Sequence, residues 1–292
     1  MGAALLAVGV TALSTELLDS GIVPGREALE SNHLDPGCWT VLGSPACGAG
    51  GATVNGVFDS AYRHTTVGYT IGYPPGHGPG DRLPLVVMLH GFRADHASAL
   101  VGMSPQDAVG LHIGGEPLTP MALVTVDGGG GYWHPHPGDD PMGMVVHELL
   151  PMLRARGLGV PPHKVATMGI SMGGYGAIAF AEHFPGLFSA VAAISPAIFT
   201  SYGWVHYVNP GAYWSAADFA RYDAITHTAA LAGIPVRITT ADHDPFHPWV
   251  VDLVDALAPG AVVQYAPGGH DGQFFESQEP ASLAFLSAHL AS

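Results

Sequence analysis

Residues 165–176, Val-Ala-Thr-Met-Gly-Ile-Ser-Met-Gly-Gly-Tyr-Gly, constrain this chain more than any other stretch. A β-branched, apolar run enters Gly-x-Ser-x-Gly, and a small-residue, helix-prone run from Ala177 to Phe180 follows at once. That order reads as strand, sharp turn, helix. So tight a turn puts Ser171 in a strained backbone conformation. Gly169 and Gly173 omit the Cβ atoms that would strike the neighbouring strand or helix. The Ser171 Oγ is left exposed at a strand tip, beside a helix N-terminus whose dipole favours a developing negative charge. Ser171 is the candidate nucleophile; the alternative is a merely structural turn.

A nucleophilic serine needs a base and a group that orients the base. Two strand-like runs in the C-terminal third end in suitable residues. Pro235–Thr240 leads into Asp242, His243 and Asp244, followed by Pro245 and Phe246. Ala261–Tyr265 leads into Gly268, Gly269, His270 and Asp271. As strand ends, both place their polar residues on loops at the edge where Ser171 emerges. His270, in a glycine-flanked loop before the last helix, is the candidate base among 17 histidines. Asp244 is the preferred acid because Pro245 and Phe246 would start and aim the next helix. Asp242 stays open as the alternative, and whichever is not the acid becomes a solvated loop carboxylate or a helix cap.

A tetrahedral oxyanion needs two convergent N–H donors, one from the residue after the nucleophile and one from a loop after an earlier strand. Leu83–Leu89 is a continuous apolar run, as a strand buried on both faces should be. It ends in His90-Gly91-Phe92, so the amides of Phe92 and Met172 are the candidate donors. His90 reads as a brace for that loop.

Taken together, Leu89-His90-Gly91, Gly169-Ile170-Ser171-Met172-Gly173-Gly174, Asp244-Pro245-Phe246 and Gly268-Gly269-His270-Asp271 resemble the putative-esterase family of α/β-hydrolases. That family includes esterase D (S-formylglutathione hydrolase), feruloyl and acetylxylan esterases, and secreted actinobacterial mycolyltransferases. The similarity runs from about Tyr62 to the C-terminus. It implies Ser171, His270 and Asp244 as a triad, Phe92 and Met172 as oxyanion donors, and a serine ester hydrolase that works through an acyl-enzyme without a cofactor. An acyltransferase delivering the acyl group to a sugar or polyol is the nearest alternative. A catalytically silent hydrolase fold used for binding is the alternative of another class. The implied substrate is a small-molecule, glycan or lipid ester.

Composition narrows the setting. A net charge of −15, with 24 acidic residues against 9 basic ones, argues against nucleic acid or an anionic membrane as partner. Cys38 and Cys47 are the only cysteines and lack histidine or cysteine partners at zinc spacing, so they read as a disulfide across a short loop. Residues 2–13 have the length of a signal-peptide apolar core and are too short to span a bilayer, though an amphipathic helix over 3–18 is the alternative. With the cysteine pair, this points to a secreted or cell-envelope protein.

The expected organisation is a leader and Pro/Gly-rich linker over residues 1–55, then one α/β catalytic domain over 56–292. That domain should open with an antiparallel hairpin over 57–74 and continue as a mostly parallel sheet with helices on both faces. Strands are expected at Leu85–Leu89, Ala122–Val126, Val165–Ile170, Ala190–Ile194, Val236–Thr240 and Val262–Tyr265. Helices are expected at Met142–Arg156, Met172–His183, Trp249–Leu257 and Pro280–Ala291. Two segments are expected to shape the substrate pocket. The glycine-rich loop 127–140 offers Tyr132, Trp133 and His134. Residues 199–222, rich in aromatics, read as a lid insertion or a satellite core. His134, His136, Asp139 and Asp140 share that loop, but prolines separate them and no helix gathers them, so no metal site is expected.

Overall fold

Leu85–Leu89 is apolar at every position and so needs cover on both faces, which only a central strand obtains. The computed structural model describes the backbone of residues 38–41 and 44–48 and, with side chains, residues 50–291. The expected export segment lies outside the described residues.

In chain order the elements are β1 (Cys38–Val41), β2 (Ser44–Gly48), β3 (Thr53–Ser60), β4 (Thr65–Gly72), β5 (Leu85–Leu89), α1 (Pro105–Val109), β6 (Leu111–Ile113), β7 (Glu116–Pro117) and β8 (Ala122–Val126). Then come α2 (Pro141–Met144), a π turn (Val145–Leu149), α3 (Leu150–Ala155), β9 (Val165–Ile170), α4 (Met172–His183) and β10 (Val191–Ile194). The chain ends through α5 (Tyr202–Val208), α6 (Ala216–Tyr222), a 3-10 turn (Thr228–Leu231), β11 (Val236–Ala241), α7 (His247–Ala256), β12 (Val262–Ala266) and α8 (Gly272–Leu290).

Eight strands form the main sheet in the order β12-β11-β10-β9-β5-β8-β4-β3. The six strands from β12 to β8 are parallel, and β4 and β3 add an antiparallel hairpin at one edge. This is the α/β sheet with an N-terminal hairpin expected from the sequence. Alternation along β5 divides the core. Leu85, Val87 and Leu89 pack into one apolar cluster with α4 and the turn after α2, while Val86 and Met88 face a second cluster with α1 and α8. The sheet is therefore buried on both faces and its loops are held from both sides.

Two expectations need correction. The stretch assigned to a linker contains strand: β1 and β2 pair antiparallel and extend through β6 and β7 into a second, four-stranded sheet. β3 also begins at Thr53, inside the expected linker. The last helix starts at Gly272, not Pro280. Asp271 caps it by accepting from the Phe274 N–H at 2.9 Å, and buried Phe274 and Phe275 anchor its first turn. Pro280 sits inside it, where the missing N–H costs less than breaking a helix that lies along β9, β10 and β11. Residues 199–222 form α5 and α6, two short helices after β10.

Candidate active site

β9 ends at Ile170, and Ser171 takes φ 56° and ψ −118°, a conformation a side-chain-bearing residue seldom adopts. It is held there from all sides. The Ser171 N–H donates to the Ile194 carbonyl at 2.9 Å, and its own carbonyl accepts from the amides of Tyr175 and Ala197, each at 3.0 Å. A Cβ on Gly169 would overlap the Gly173 carbonyl, and one on Gly173 would overlap the Leu89 carbonyl. The two glycines let strand, turn and helix pack without separation.

Ser171 Oγ lies 2.8 Å from His270 Nε2, and His270 Nδ1 lies 2.8 Å from Asp244 Oδ2. The carboxylate can only accept, so Nδ1 carries the proton and Nε2 presents its lone pair to the serine hydroxyl. The His270 and Asp244 side chains have no solvent exposure. Asp244 Oδ1 accepts from the Phe246 N–H at 2.8 Å, which fixes the carboxyl plane. The Phe246 ring packs 5.0 Å from the imidazole on one side, and Phe275 stands edge-on at 5.0 Å on another. This chain of contacts brings together three of the residues singled out from sequence. Asp242 is elsewhere: about half-exposed, it accepts from the Gly268 N–H at 3.1 Å and ties the acid loop to the histidine loop. His243 is exposed.

The loop after β5 is aimed by His90. Gly128 donates its N–H to His90 Nε2 at 2.9 Å, so that nitrogen is unprotonated and Nδ1–H donates to the Gly91 carbonyl at 2.7 Å. Burial lowers the His90 pKa and keeps the ring neutral, as that network requires. In a trans peptide the C=O and N–H point opposite ways, so pinning the Gly91 carbonyl inward turns the Phe92 N–H outward. Gly91 is next to the serine: a Cβ there would sit 3.7 Å from Ser171 Cβ. Among the described residues neither the Phe92 nor the Met172 N–H has a hydrogen-bond acceptor. The Met172 N–H at the N-terminus of α4 and the Phe92 N–H in the loop after β5 are thus both free.

The glycine-rich loop differs from the pocket wall expected of it. Trp133 is fully buried: its Nε1–H donates to the His90 carbonyl at 3.1 Å, and its ring packs on His90 and Phe180. His134 is fully buried too, with Nε2–H donating to the Ala212 carbonyl at 2.7 Å and its ring stacked on Tyr213 and Tyr222. Burial, then neighbouring His136, bring its pKa down to about 4. Neither residue offers surface to a ligand; Trp133 braces the loop after β5, and His134 braces the segment from Ala212 to Tyr222. The reason is backbone geometry, since Tyr132 and Trp133 both have positive φ, and the loop turns the Trp133 ring in against His90 and α4. Tyr132 is buried among Tyr175, Phe199 and Tyr213.

The other polar residues of this loop are engaged as well. Asp139 receives a two-point contact from Arg63 at 2.7 and 3.1 Å, Asp140 caps α2, and His136 Nε2 faces the Gly131 carbonyl. Among the described residues no three His, Cys, Asp or Glu side chains converge into a cation site. Residues 199–222 are both satellite core and surface: Tyr213, Phe219 and Tyr222 are buried, while Tyr207 and Trp214 are exposed.

Sequence reasoning missed two contributors. Asp127 receives the amides of Gly68 and His96 at 2.9 and 2.8 Å and so fastens the glycine-rich loop to β4. Its place at a strand end before four glycines was the available signal. The second is an aromatic cluster beside His270, in which Phe199 lies 5.3 Å from both Phe246 and Trp249, and Trp204 extends the row. Nothing in their irregular spacing marks these as neighbours.

The sheet, the elbow and the loop order define an α/β-hydrolase. Residues 60–258 match the family described as "Putative esterase", and the chain belongs to that family, a class of serine esterases and related acyltransferases. It is similar in fold to a ferulic acid esterase, at 16% identity and TM-score 0.64 over 82% of this chain and 98% of that one. The fluorophosphonate-binding serine hydrolase F (FphF) of Staphylococcus aureus matches at 16% identity and TM-score 0.66, over 82% and 99%. An S-formylglutathione hydrolase from Agrobacterium tumefaciens matches at 18% identity and TM-score 0.62, over 87% and 98%. No curated protein matches the sequence.

Proposed function

We propose that the protein is a serine carboxylic-ester hydrolase in which Ser171, His270 and Asp244 act as a triad through an acyl-enzyme. The observation that carries this reading is the Ser171–His270–Asp244 relay, 2.8 Å at each link, at a strained turn, with the Phe92 and Met172 amides left unpaired. His270 Nε2 takes the hydroxyl proton as Ser171 Oγ bonds to the ester carbonyl carbon, and the carbonyl oxygen becomes an oxyanion facing the Phe92 and Met172 amides. The ester C–O bond then breaks, and the imidazolium gives its proton to the departing alcohol. Asp244 holds the imidazole tautomer and stabilises the imidazolium without itself becoming protonated. Water, deprotonated by the same histidine, attacks the acyl-enzyme and releases the acid and free serine.

Acyl transfer uses the same relay with a sugar or polyol hydroxyl in place of water. Trp249, the half-buried end of the aromatic row backed by buried Phe199 and Phe246 beside the imidazole, suits a flat or apolar acyl group. Turnover of short p-nitrophenyl esters by the wild type and the Ser171→Ala variant tests the hydrolytic reading. Glycerol added to that assay tests transfer, which would appear as an acylated polyol among the products. The proposal extends to an oxidising, extracytoplasmic setting, on the ground that β1 and β2 place Cys38 directly opposite Cys47 in the backbone register. Their side chains lie outside the described residues.

A further inference from the structure

The chain holds only nine Lys and Arg against 24 Asp and Glu, so a cluster of cations stands out. Three arginines gather in one. Arg82, Arg154 and Arg156 line a groove of about 650 Å³ whose floor includes Tyr69 and Tyr73. All three are exposed, and among the described residues none lies within salt-bridge distance of an acidic group; of the described Lys and Arg only Arg63 does, and what sets these three apart is that they share one groove. The Arg154 side chain has no hydrogen-bond partner among those residues, and the Arg82 side chain reaches only the Pro161 carbonyl at 3.5 Å. Arg156 is fixed: Nη1 donates to the Tyr69 hydroxyl at 2.8 Å, and its guanidinium lies 5.3 Å from that ring.

The nearest carboxylate along the chain, Asp81, is turned into its own loop, where it faces His77 Nδ1 at 3.1 Å and accepts from the Gly78 N–H at 3.0 Å. Arg154 and Arg156 close α3, and cations at a helix C-terminus are favourable in their own right. That accounts for two charges but not for Arg82, which comes from the loop before β5.

The groove is remote from the triad. It lies where β5 and β9 begin, whereas Ser171 and Phe92 follow their ends, and five residues of strand span roughly 17 Å. We infer that this groove is a second, non-catalytic site that binds a phosphoryl group. Three guanidinium groups match an anion carrying two charges on one head, and their planar forks suit its oxygens. The volume is that of a small-molecule site, and Val54, Tyr73 and Val160 supply an apolar wall for the rest of the ligand. The phosphoryl group could belong to a soluble ester or a lipid headgroup.

Calorimetric titration of the full chain with inorganic pyrophosphate at low ionic strength tests this. Saturable binding is expected, weakened by about tenfold or more for each guanidinium removed in Arg82→Gln and Arg82→Gln/Arg154→Gln. Turnover of p-nitrophenyl acetate should match the wild type in both variants, since neither residue is near Ser171; the Tm should match in Arg82→Gln and fall only slightly when the cation closing α3 is also removed. Co-sedimentation with phosphatidate vesicles assigns the group to a lipid when it exceeds that with phosphatidylcholine, and pyrophosphate binding alone assigns it to a soluble ester. Wild-type protein that binds neither probe, or variants that bind as tightly as wild type, would overturn the inference.

Discussion

Single residues carry the chemistry, and the strongest prediction sits with them. Ser171→Ala should lower turnover of p-nitrophenyl esters by ~10³-fold or more with an unchanged Tm, because the covalent step is lost while the elbow's backbone contacts remain. Rates near wild type would refute the covalent role. Asp244→Asn should cost far more activity than Asp242→Asn, because only Asp244 touches the imidazole, whereas Asp242 ties two loops together. Comparing kcat/KM of the two variants checks the order, and the reverse ranking would move the acid to Asp242. Each residue of the relay was readable from a short local signal: glycines around the serine, a strand end before the aspartate, a glycine-flanked turn before the histidine. Trp133 and His134 were misread because their loop looked like a pocket rim. Two successive positive-φ residues turn it inward, and no neighbouring residue in the sequence announces that.

Whole elements were legible where burial leaves one choice. β5, β8, β9 and α4 run over the residues expected of them, since an apolar run or a small-residue helix has few competing conformations. Where weak rules compete, packing decides. Pro280 suggested a helix start, but Asp271 and the buried Phe274 set it eight residues earlier. The β1–β2 hairpin hid in a Pro/Gly-rich stretch because its strands are short and borrow β6 for support. That hairpin carries its own prediction. Cys38 and Cys47, opposite in register, should be joined in protein from an oxidising compartment, with reduction costing about 2–3 kcal/mol for so short a loop and leaving catalysis intact. Two thiols titrated in the denatured, unreduced protein would rule the bond out.

At the scale of the molecule, an acidic charge balance is combined with a carboxyl buried without a partner. Glu182 on α4 has neither side-chain oxygen hydrogen-bonded among the described residues, and burial, reinforced by Asp223, pushes its pKa up from 4.5 to about 9. Between those values the unfolded chain releases the proton and the folded one keeps it, so stability falls as pH rises toward about 9. Glu182→Gln should therefore gain stability over the parent by a few kcal/mol at about pH 8 and by little near pH 5. Tm measured at both pH values checks the sign, and a gain independent of pH would contradict a proton held by the fold.

The central claim is that Ser171 is the activated nucleophile of an esterase-family α/β-hydrolase rather than part of a silent binding fold. The most direct test is reaction of the folded protein with a fluorophosphonate, followed by peptide mapping of the adduct. The relay predicts stoichiometric modification of Ser171, abolished by unfolding and absent in His270→Ala. No adduct, or an adduct at another residue, would contradict it.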